Sequence, residues 1–284
     1  MDDAAPDGHP AVTAFVLGGG GALGAAEVGM LRALTESCER PGLIVGSSVG
    51  ALNGAFFAAD PTTGGARRLE EVWSSLQSGD VFGSSLWGRA SNVIRHGTYL
   101  HSNEALRALI ERALPDVRIE DLPVRFECVA ASIERAGAHW FDSGPLADAV
   151  LASCAVPGLL PAVEIDGEHF LDGGLVYSVP VGRAIRRGAT RVFVLHVGRL
   201  ERKLTAPRLP WEVALVSFEI ARRHRFSEDM ATAPPGVEVH VLPSGADAPP
   251  AVNLRYRRVG DLRRRIEAAY EASMRHLSVL ENRA

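Results

Sequence analysis

Residues 11–24 read AVTAFVLGGGGALG, and residues 43–52 read LIVGSSVGAL. Each stretch starts with an apolar run of strand length, passes through a glycine-rich turn and enters a segment of helical character. A strand that is apolar throughout is typical of the buried parallel strands of α/β proteins. The two stretches therefore predict two strand–turn–helix units of an α/β sheet.

The rest of the chain continues this alternation. Further strands are predicted at 124–132, 138–142 and 191–197, and a helix is predicted at 145–154. Strands that alternate with helices predict a three-layer α/β/α fold with a mainly parallel central sheet. Residues 1–10 are acidic, contain Pro and Gly, and are expected to form a disordered lead.

Two segments depart from the alternation. Residues 78–101 lose periodicity and combine glycines with Phe82 and Trp87. They are a candidate lid, because a long loop in a compact domain is usually functional or disordered and this one is rich in apolar side chains. Residues 201–284 begin with a basic, proline-containing stretch and continue into amphipathic helical patterns. We expect them to form a C-terminal helical extension that packs on the main domain, residues 11–200.

Composition excludes several classes of protein. The formal net charge is −4 over 284 residues, so the chain has no global positive field for nucleic acid. Its three cysteines lack CxxC spacing and are interpreted as small buried hydrophobic residues. The N-terminus lacks the basic and apolar regions of a signal peptide, and the apolar stretches are shorter than the roughly 20 residues that span a bilayer. A cytoplasmic protein is expected.

The second glycine-rich turn, residues 46–50 (GSSVG), has the G-x-S-x-G spacing of a nucleophile elbow. Small flanking residues permit a sharp bend that pushes the central hydroxyl toward a substrate. Ser48 is therefore the candidate nucleophile. Asp172 opens the sequence Asp-Gly-Gly after a later apolar segment and offers a carboxylate on a tight turn. Together these features predict a serine hydrolase.

The first glycine-rich turn can supply backbone N–H groups to an anion. The N–H groups of Gly19, Gly20 and Gly21 are the candidate oxyanion donors, because a helix start stabilises negative charge. The spacing G-x-G-x-x-G also occurs in dinucleotide-binding turns. That alternative needs an acidic residue about 20 positions further on, at the end of the second strand. This chain has the serine turn there instead.

A serine hydroxyl needs a base that takes up its proton. Asp172 is one candidate. His196 is a second, because the order Ser48, Asp172, His196 matches that of α/β-hydrolase triads. In those hydrolases, however, the nucleophile follows several strands, whereas Ser48 follows the second predicted strand. A Ser-Asp dyad and a Ser-Asp-His esterase triad both stay open on this reasoning.

The motifs, taken in order, resemble those of the bacterial patatin-like phospholipase family. The resemblance includes both glycine-rich turns, the Asp-Gly-Gly turn and the stretch ASCAVPGLLP at residues 152–161. It implies a patatin-like catalytic domain over residues 11–200, with Ser48 as nucleophile, Asp172 as base and the first turn as oxyanion hole. It further implies hydrolysis of acyl esters of phospholipids or related lipids, without a metal or other cofactor.

One position departs from the family pattern. Leu23 stands where the family usually carries Arg or Lys, which removes a cation from the oxyanion turn. This departure affects rate and substrate preference more than reaction type. The expected partner is a lipid or acyl-ester substrate, with transient contact at a membrane surface. Outside the enzymes, the alternative is a lipid-binding or regulatory module that keeps the fold without catalysis.

Overall fold

The computed structural model describes residues 12–75, 101–197, 204–207, 210–245 and 259–282. The predicted lead and all of the candidate lid except His101 lie outside these residues. The described strands are β1 (Val12–Leu17), β2 (Leu43–Ser47), β3 (Arg125–Ser132), β4 (Gly137–Phe141), β5 (Val163–Ile165), β6 (Glu168–Asp172), β7 (Ala189–Leu195) and β8 (Glu238–Leu242). The described α-helices are α1 (Ala25–Glu36), α2 (Val49–Ala59), α3 (Thr63–Ser75), α4 (Glu104–Ala113), α5 (Leu146–Ser153), α6 (Val181–Arg186), α7 (Pro210–Ala231) and α8 (Val259–Glu281).

The strands form one eight-stranded sheet in the order β5-β6-β3-β2-β1-β7-β8, with β4 paired to β3 off this path. The strands β3, β2, β1, β7 and β8 are parallel to their neighbours in this order. The hairpin β5–β6 and strand β4 add antiparallel pairs at the other end. The prediction of a mainly parallel central sheet is confirmed.

Apolar residues on both faces of the strands produce the three layers. Alternate residues of a strand point to opposite faces of a sheet, and Phe15 and Leu17 of β1 belong to one buried cluster while Ala14 and Val16 belong to another. The first cluster includes residues of α1, α2, α5 and α8, and the second includes residues of α6 and α7. The predicted α/β/α layering is therefore confirmed, and it accounts for strands that are apolar throughout.

The segment 201–284 contributes to two of these layers and to the sheet itself. Its strand β8 pairs in parallel with β7 at the edge of the sheet. Its last helix, α8, packs against α1 so closely that a Cβ on Gly29 would lie 2.0 Å from the carbonyl oxygen of Ile266. Glycine is needed at that crossing because any side chain would separate the two helices.

Strand β3 brings together the two chain segments that carry the site residues. Val129 pairs with Ser47 of β2 on one edge and with β4 on the other. Ala130, the next residue, pairs with β4 and with Asp172 of β6. Because a strand has only two edges, β2 and β6 share the edge of β3 that faces away from β4. They end at adjacent positions along it, which places Ser48 beside Asp172.

The cysteines correct one sequence expectation. Cys128 and Cys154 are buried, but Cys38 is exposed. Cys38 follows the end of α1 and has a φ of 59°, in the left-handed region that a chain often enters as it leaves a helix. The apolar character of cysteine predicted burial, and the position of Cys38 in the turn after the helix decided its exposure.

Candidate active site

The predicted strand-to-helix bend is present at residues 46–50. Strand β2 ends at Ser47 and helix α2 begins at Val49, so Ser48 alone occupies the bend, with φ 54° and ψ −126°. A residue other than glycine rarely adopts such a conformation, which costs about 1–3 kcal/mol and persists only where the surroundings hold it. The strain therefore marks Ser48 as a position that the rest of the fold supports.

Two glycines make the bend sterically feasible. A Cβ on Gly46 would lie 2.5 Å from the carbonyl oxygen of Gly50. A Cβ on Gly50 would lie 2.3 Å from the carbonyl oxygen of Leu17, at the end of β1. Both obstacles are backbone atoms, which cannot rotate away as the end of a side chain can. The two glycines of the G-x-S-x-G spacing are thus explained by backbone contact on either side of the serine.

The hydroxyl of Ser48 donates directly to the carboxylate of Asp172. The distance from Ser48 Oγ to Asp172 Oδ2 is 2.6 Å, and Asp172 Oδ1 accepts from the N–H of Gly174 at 2.7 Å. Asp172 is 3% exposed, and this burial raises its pKa from 3.8 to about 6, against the lowering effect of the two hydrogen bonds. Near neutral pH the group is a carboxylate of raised basicity, positioned to take up the serine proton.

The backbone of Ser48 is held by two residues at the end of α5 that the sequence reasoning did not single out. The N–H of Ser48 donates to Ser153 Oγ at 2.9 Å, and Ser153 Oγ donates in turn to the carbonyl of Val129 at 2.6 Å. Cys154 Sγ donates to the carbonyl of Ser48 at 3.1 Å. Both residues lie in the stretch 152–161, and its similarity to the family pattern is the one signal that marked them.

The first glycine-rich turn lies against Ser48. A Cβ on Gly19 would be 3.4 Å from the Cβ of Ser48. The segment of helical character after this turn begins with a short 3-10 turn at Gly21–Gly24, and α1 follows it. Gly21 has a φ of 55°, in the left-handed region that favours glycine, and open space surrounds the position of its missing side chain.

Gly19 differs from the other two predicted oxyanion donors. Its N–H already donates to the carbonyl of Ser178 at 2.8 Å, so it is not available to a substrate in this conformation. Among the described residues, the N–H groups of Gly20 and Gly21 have no acceptor, and the same holds for Val49 at the start of α2. A helix start and a glycine turn thus present unpaired donors beside the serine hydroxyl.

His196 lies near the site but not between its two key groups. The direct contact of Ser48 with Asp172 leaves no place for an imidazole in the position that a triad requires. The ring of His196 stacks on Phe226 of α7 at 6.4 Å between centroids. Burial, together with the positive charges of two nearby arginines of α7, lowers the pKa of His196 to about 3.

A cation contacts the glycine turn from α7. Arg222 Nη1 donates to the carbonyl of Gly19 at 3.3 Å, while its Nε and Nη2 bind the carboxylate of Glu219 at 2.9 and 2.8 Å. Leu23, at the position where the family pattern has a cation, is half-buried and packs against the hydrophobic core. The turn itself therefore carries no charge, and the nearby charge comes from a distant part of the chain.

The described residues contain neither a metal-binding cluster nor a membrane-spanning helix. No group of three or more His, Cys, Asp and Glu side chains there is arranged to hold a metal ion. None of the helices in that part of the chain is both long and apolar enough to cross a membrane.

Known proteins are similar to the part of the chain that contains this site. The family model for patatin-like phospholipase matches residues 15–185, which include Ser48, Asp172 and both glycine-rich turns. Patatin-like phospholipase domain-containing protein ZK370.4 of Caenorhabditis elegans is 34% identical over 199 residues, and lysophospholipase NTE1 of Yarrowia lipolytica is 32% identical over 191 residues. These alignments cover 66% of this chain but only 14% and 13% of those two proteins, so the chain spans a small part of their length.

Among solved structures, VipD of Legionella pneumophila superposes with a TM-score of 0.48 at 15% sequence identity. That superposition covers 95% of this chain and 67% of the VipD chain.

Proposed function

The chain belongs to the patatin-like phospholipase family, and we propose that it is a serine acyl hydrolase that cleaves ester bonds of phospholipids or related lipids. The observation that carries this proposal is the 2.6 Å hydrogen bond from Ser48 to the buried carboxylate of Asp172. A serine on a strained elbow in direct contact with a base has the two parts that nucleophilic catalysis requires.

The proposed reaction proceeds in two steps. Asp172 takes the proton of Ser48 as the serine oxygen attacks the ester carbonyl, and the N–H groups of Gly20 and Gly21 stabilise the negative charge on the tetrahedral intermediate. The alcohol leaves with the proton, and an acyl-enzyme remains on Ser48. A water molecule, deprotonated by Asp172, then releases the fatty acid and restores the serine.

A Ser-Asp dyad is favoured over a Ser-Asp-His triad by two features of the site. Ser48 and Asp172 touch directly, whereas a triad places an imidazole between them. The lowered pKa of His196, about 3, makes its ring a poor proton acceptor. Burial has the opposite effect on Asp172, whose pKa is raised to about 6. The carboxylate is thus the stronger base of the two.

Apolar side chains near the dyad support a lipid substrate. Leu175, three residues after Asp172, is 39% exposed, and Val156, two residues after Cys154, is 37% exposed. Exposed aliphatic side chains beside a polar catalytic pair are suited to contact with acyl chains at a membrane or micelle surface. The proposed substrate is therefore an ester with at least one long acyl chain, presented at such a surface.

Covalent labelling combined with a hydrolysis assay tests this function. We expect a fluorophosphonate probe to label the protein and the protein to release fatty acid from lysophosphatidylcholine. Both signals should disappear in Ser48→Ala. The matched control is Ser47→Ala, because Ser47 is also buried and its hydroxyl has no hydrogen-bond partner among the described residues. Labelling of Ser48→Ala, or an unlabelled and inactive wild-type protein, would contradict the proposal; the second outcome favours a lipid-binding module.

A further inference from the structure

The glycine turn receives its only described cationic contact from outside the region that the family model matches. That region ends at residue 185, and Arg222 belongs to α7. No residue of the 3-10 turn at Gly21–Gly24 is charged. The contact from Arg222 Nη1 to the carbonyl of Gly19 therefore comes from a segment beyond the matched region.

The contact acts on the peptide unit that carries a proposed oxyanion donor. The carbonyl of Gly19 and the N–H of Gly20 belong to the same planar, trans peptide, so they point in opposite directions. A hydrogen bond that fixes the direction of the Gly19 carbonyl also fixes the direction of the Gly20 N–H. The next peptide is fixed in the same way, because the carbonyl of Gly20 accepts from the N–H of Leu23 at 3.2 Å.

Arg222 is itself held firmly enough to orient this peptide. Two of its nitrogens form a forked pair with the carboxylate of Glu219, and its side chain is only 9% exposed. Glu219 also binds Arg223 at 2.8 Å, so these three side chains together have one positive charge in excess. Burial is the main cause of the lowered pKa of His196, and the charges of both arginines lower it further. Their contribution indicates positive potential beside the turn.

We propose that Arg222 is a positioning residue of the oxyanion turn, which aims the N–H of Gly20 at the developing oxyanion and polarises the Gly19–Gly20 peptide. Hydrogen bonding to a carbonyl strengthens the N–H of the same peptide as a donor, and a cationic partner does so most. This inference rests on the proposed function. It assigns part of the catalytic site to the segment beyond residue 185.

The test compares two arginines that share one carboxylate. Arg222→Met removes the contact to Gly19, whereas Arg223→Met removes an equal charge from the same ion-pair cluster without a described contact to the turn. Hydrolysis of p-nitrophenyl butyrate, a soluble ester, separates the chemical step from binding to a lipid surface. Thermal melting of each variant reports folding. If Arg222→Met does not fold, Arg222→Gln keeps a polar side chain and serves in the same comparison.

Loss of one whole oxyanion donor lowers kcat by about 100-fold to 1000-fold, so misdirecting the Gly20 N–H should lower kcat by roughly 10-fold to 100-fold. We expect this loss in Arg222→Met with KM nearly unchanged, and a kcat within about threefold of wild type in Arg223→Met. The acid limb of the pH profile, which reports Asp172, should not move.

Equal losses in the two variants, or a loss confined to KM, would overturn the assignment of Arg222. Ser48→Ala in the same assay keeps that outcome distinct from failure of the proposed function. If wild-type turnover does not depend on Ser48, the hydrolase proposal is wrong. If turnover depends on Ser48 and the two arginine variants lose the same activity, only the proposed role of Arg222 is wrong.

Discussion

The two glycine-rich turns lie at the ends of neighbouring parallel strands, yet they are held in place in different ways. At residues 46–50, two glycines from the turn itself permit the bend through backbone contacts with Gly50 and Leu17. At residues 18–24, the peptide orientations depend on partners from distant segments, the carbonyl of Ser178 and the side chain of Arg222. The bend that carries Ser48 is therefore marked in its local sequence, although Ser153 and Cys154 also hold its backbone, whereas the orientation of the glycine turn depends on tertiary contacts that its sequence does not mark.

The two turns also have different parts in the proposed reaction. In the proposed reaction, the elbow supplies the nucleophilic oxygen and Asp172 supplies the base, and a change at either of them removes the reaction itself. The glycine turn is proposed to stabilise developing charge, so a change there should slow the reaction while leaving its chemistry in place. The two regions should therefore respond to substitution by different amounts and in different kinetic parameters.

The largest effect on catalysis is expected at Asp172, the proposed proton acceptor of Ser48. Asp172→Asn removes the proton acceptor of Ser48 but keeps a side chain of the same shape, so kcat should fall by a factor on the order of 10⁴ or more. Steady-state hydrolysis of a soluble ester measures this loss. Substantial turnover in a folded Asp172→Asn protein would contradict the proposed dyad, because Ser48 would then not depend on Asp172 as its base.

The same variant has an opposite effect on stability. The pKa of Asp172 is higher in the folded protein, about 6, than its usual 3.8, so the folded state binds more protons between these values. The free energy of unfolding of the wild type therefore falls as pH rises from about 4 to about 6, and the deficit persists above that window. The amide side chain of the variant has no such titration. We expect Asp172→Asn to melt at a higher temperature than the wild type at pH 8, with a smaller difference at pH 4.

A smaller effect on catalysis is expected at Ser153, which holds the backbone of Ser48. Ser153→Ala removes the acceptor of the Ser48 N–H, and an unsatisfied buried donor costs about 1–3 kcal/mol. If the strained serine moves away from Asp172, its hydrogen bond no longer lowers the pKa of that carboxyl, so the acid limb of kcat/KM should move to higher pH. The kcat should fall by roughly 10-fold to 100-fold.

The matched control for Ser153 is Ser273→Ala in α8. Ser273 is also fully buried and donates to a backbone carbonyl, that of Pro243 at 3.4 Å, but it lies outside the site. Its substitution should lower the melting temperature without a change in the pH profile. If both variants lose stability and neither shifts the acid limb, Ser153 contributes only to the stability of the fold. The position of Ser48 in the elbow then does not depend on it.

The sequence predicts the elbow well because its signals are short in range. Apolar runs mark the strands, and the spacing of Gly46, Ser48 and Gly50 records the backbone contacts that the bend requires. The register on β3 then places the ends of β2 and β6, and with them Ser48 and Asp172, side by side. The fold class follows from the same signals, since strands that are apolar on both faces require helices on both sides.

The sequence predicts the glycine turn less well because its partners are far away along the chain. Arg222 contacts Gly19 from a position 203 residues further along the chain, and no periodicity or spacing connects such a pair. Gly19 illustrates the consequence: a run of glycines offers several N–H groups, and only the fold decides which of them a carbonyl such as that of Ser178 already occupies. The exposed Cys38 is a similar case, decided by its position after a helix.

A still smaller effect is expected at His196, which tests whether the elbow acts without a histidine. His196→Gln should keep kcat within about threefold of the wild type, a difference below about 0.7 kcal/mol. The pH profile gives an independent check, because the two candidate bases have different pKa values. If Asp172 is the base, kcat/KM falls below about pH 6; if His196 were the base, activity would persist toward pH 3. A loss in His196→Gln as large as that in Asp172→Asn would favour the triad.

The smallest effect on catalysis is expected at Leu23, in the turn that takes its cation from elsewhere. Leu23→Arg restores a charge at the position where the family pattern has one, but Leu23 packs against the hydrophobic core, and Arg222 already contacts the turn at Gly19. The substitution should therefore lower the melting temperature through lost packing and a poorly solvated charge, with no gain in kcat. Leu23→Met, which conserves volume and polarity, should leave both quantities nearly unchanged. An increase in kcat in Leu23→Arg at an unchanged melting temperature would instead mean that the turn has room for its own cation, and that Arg222 does not already fill this role.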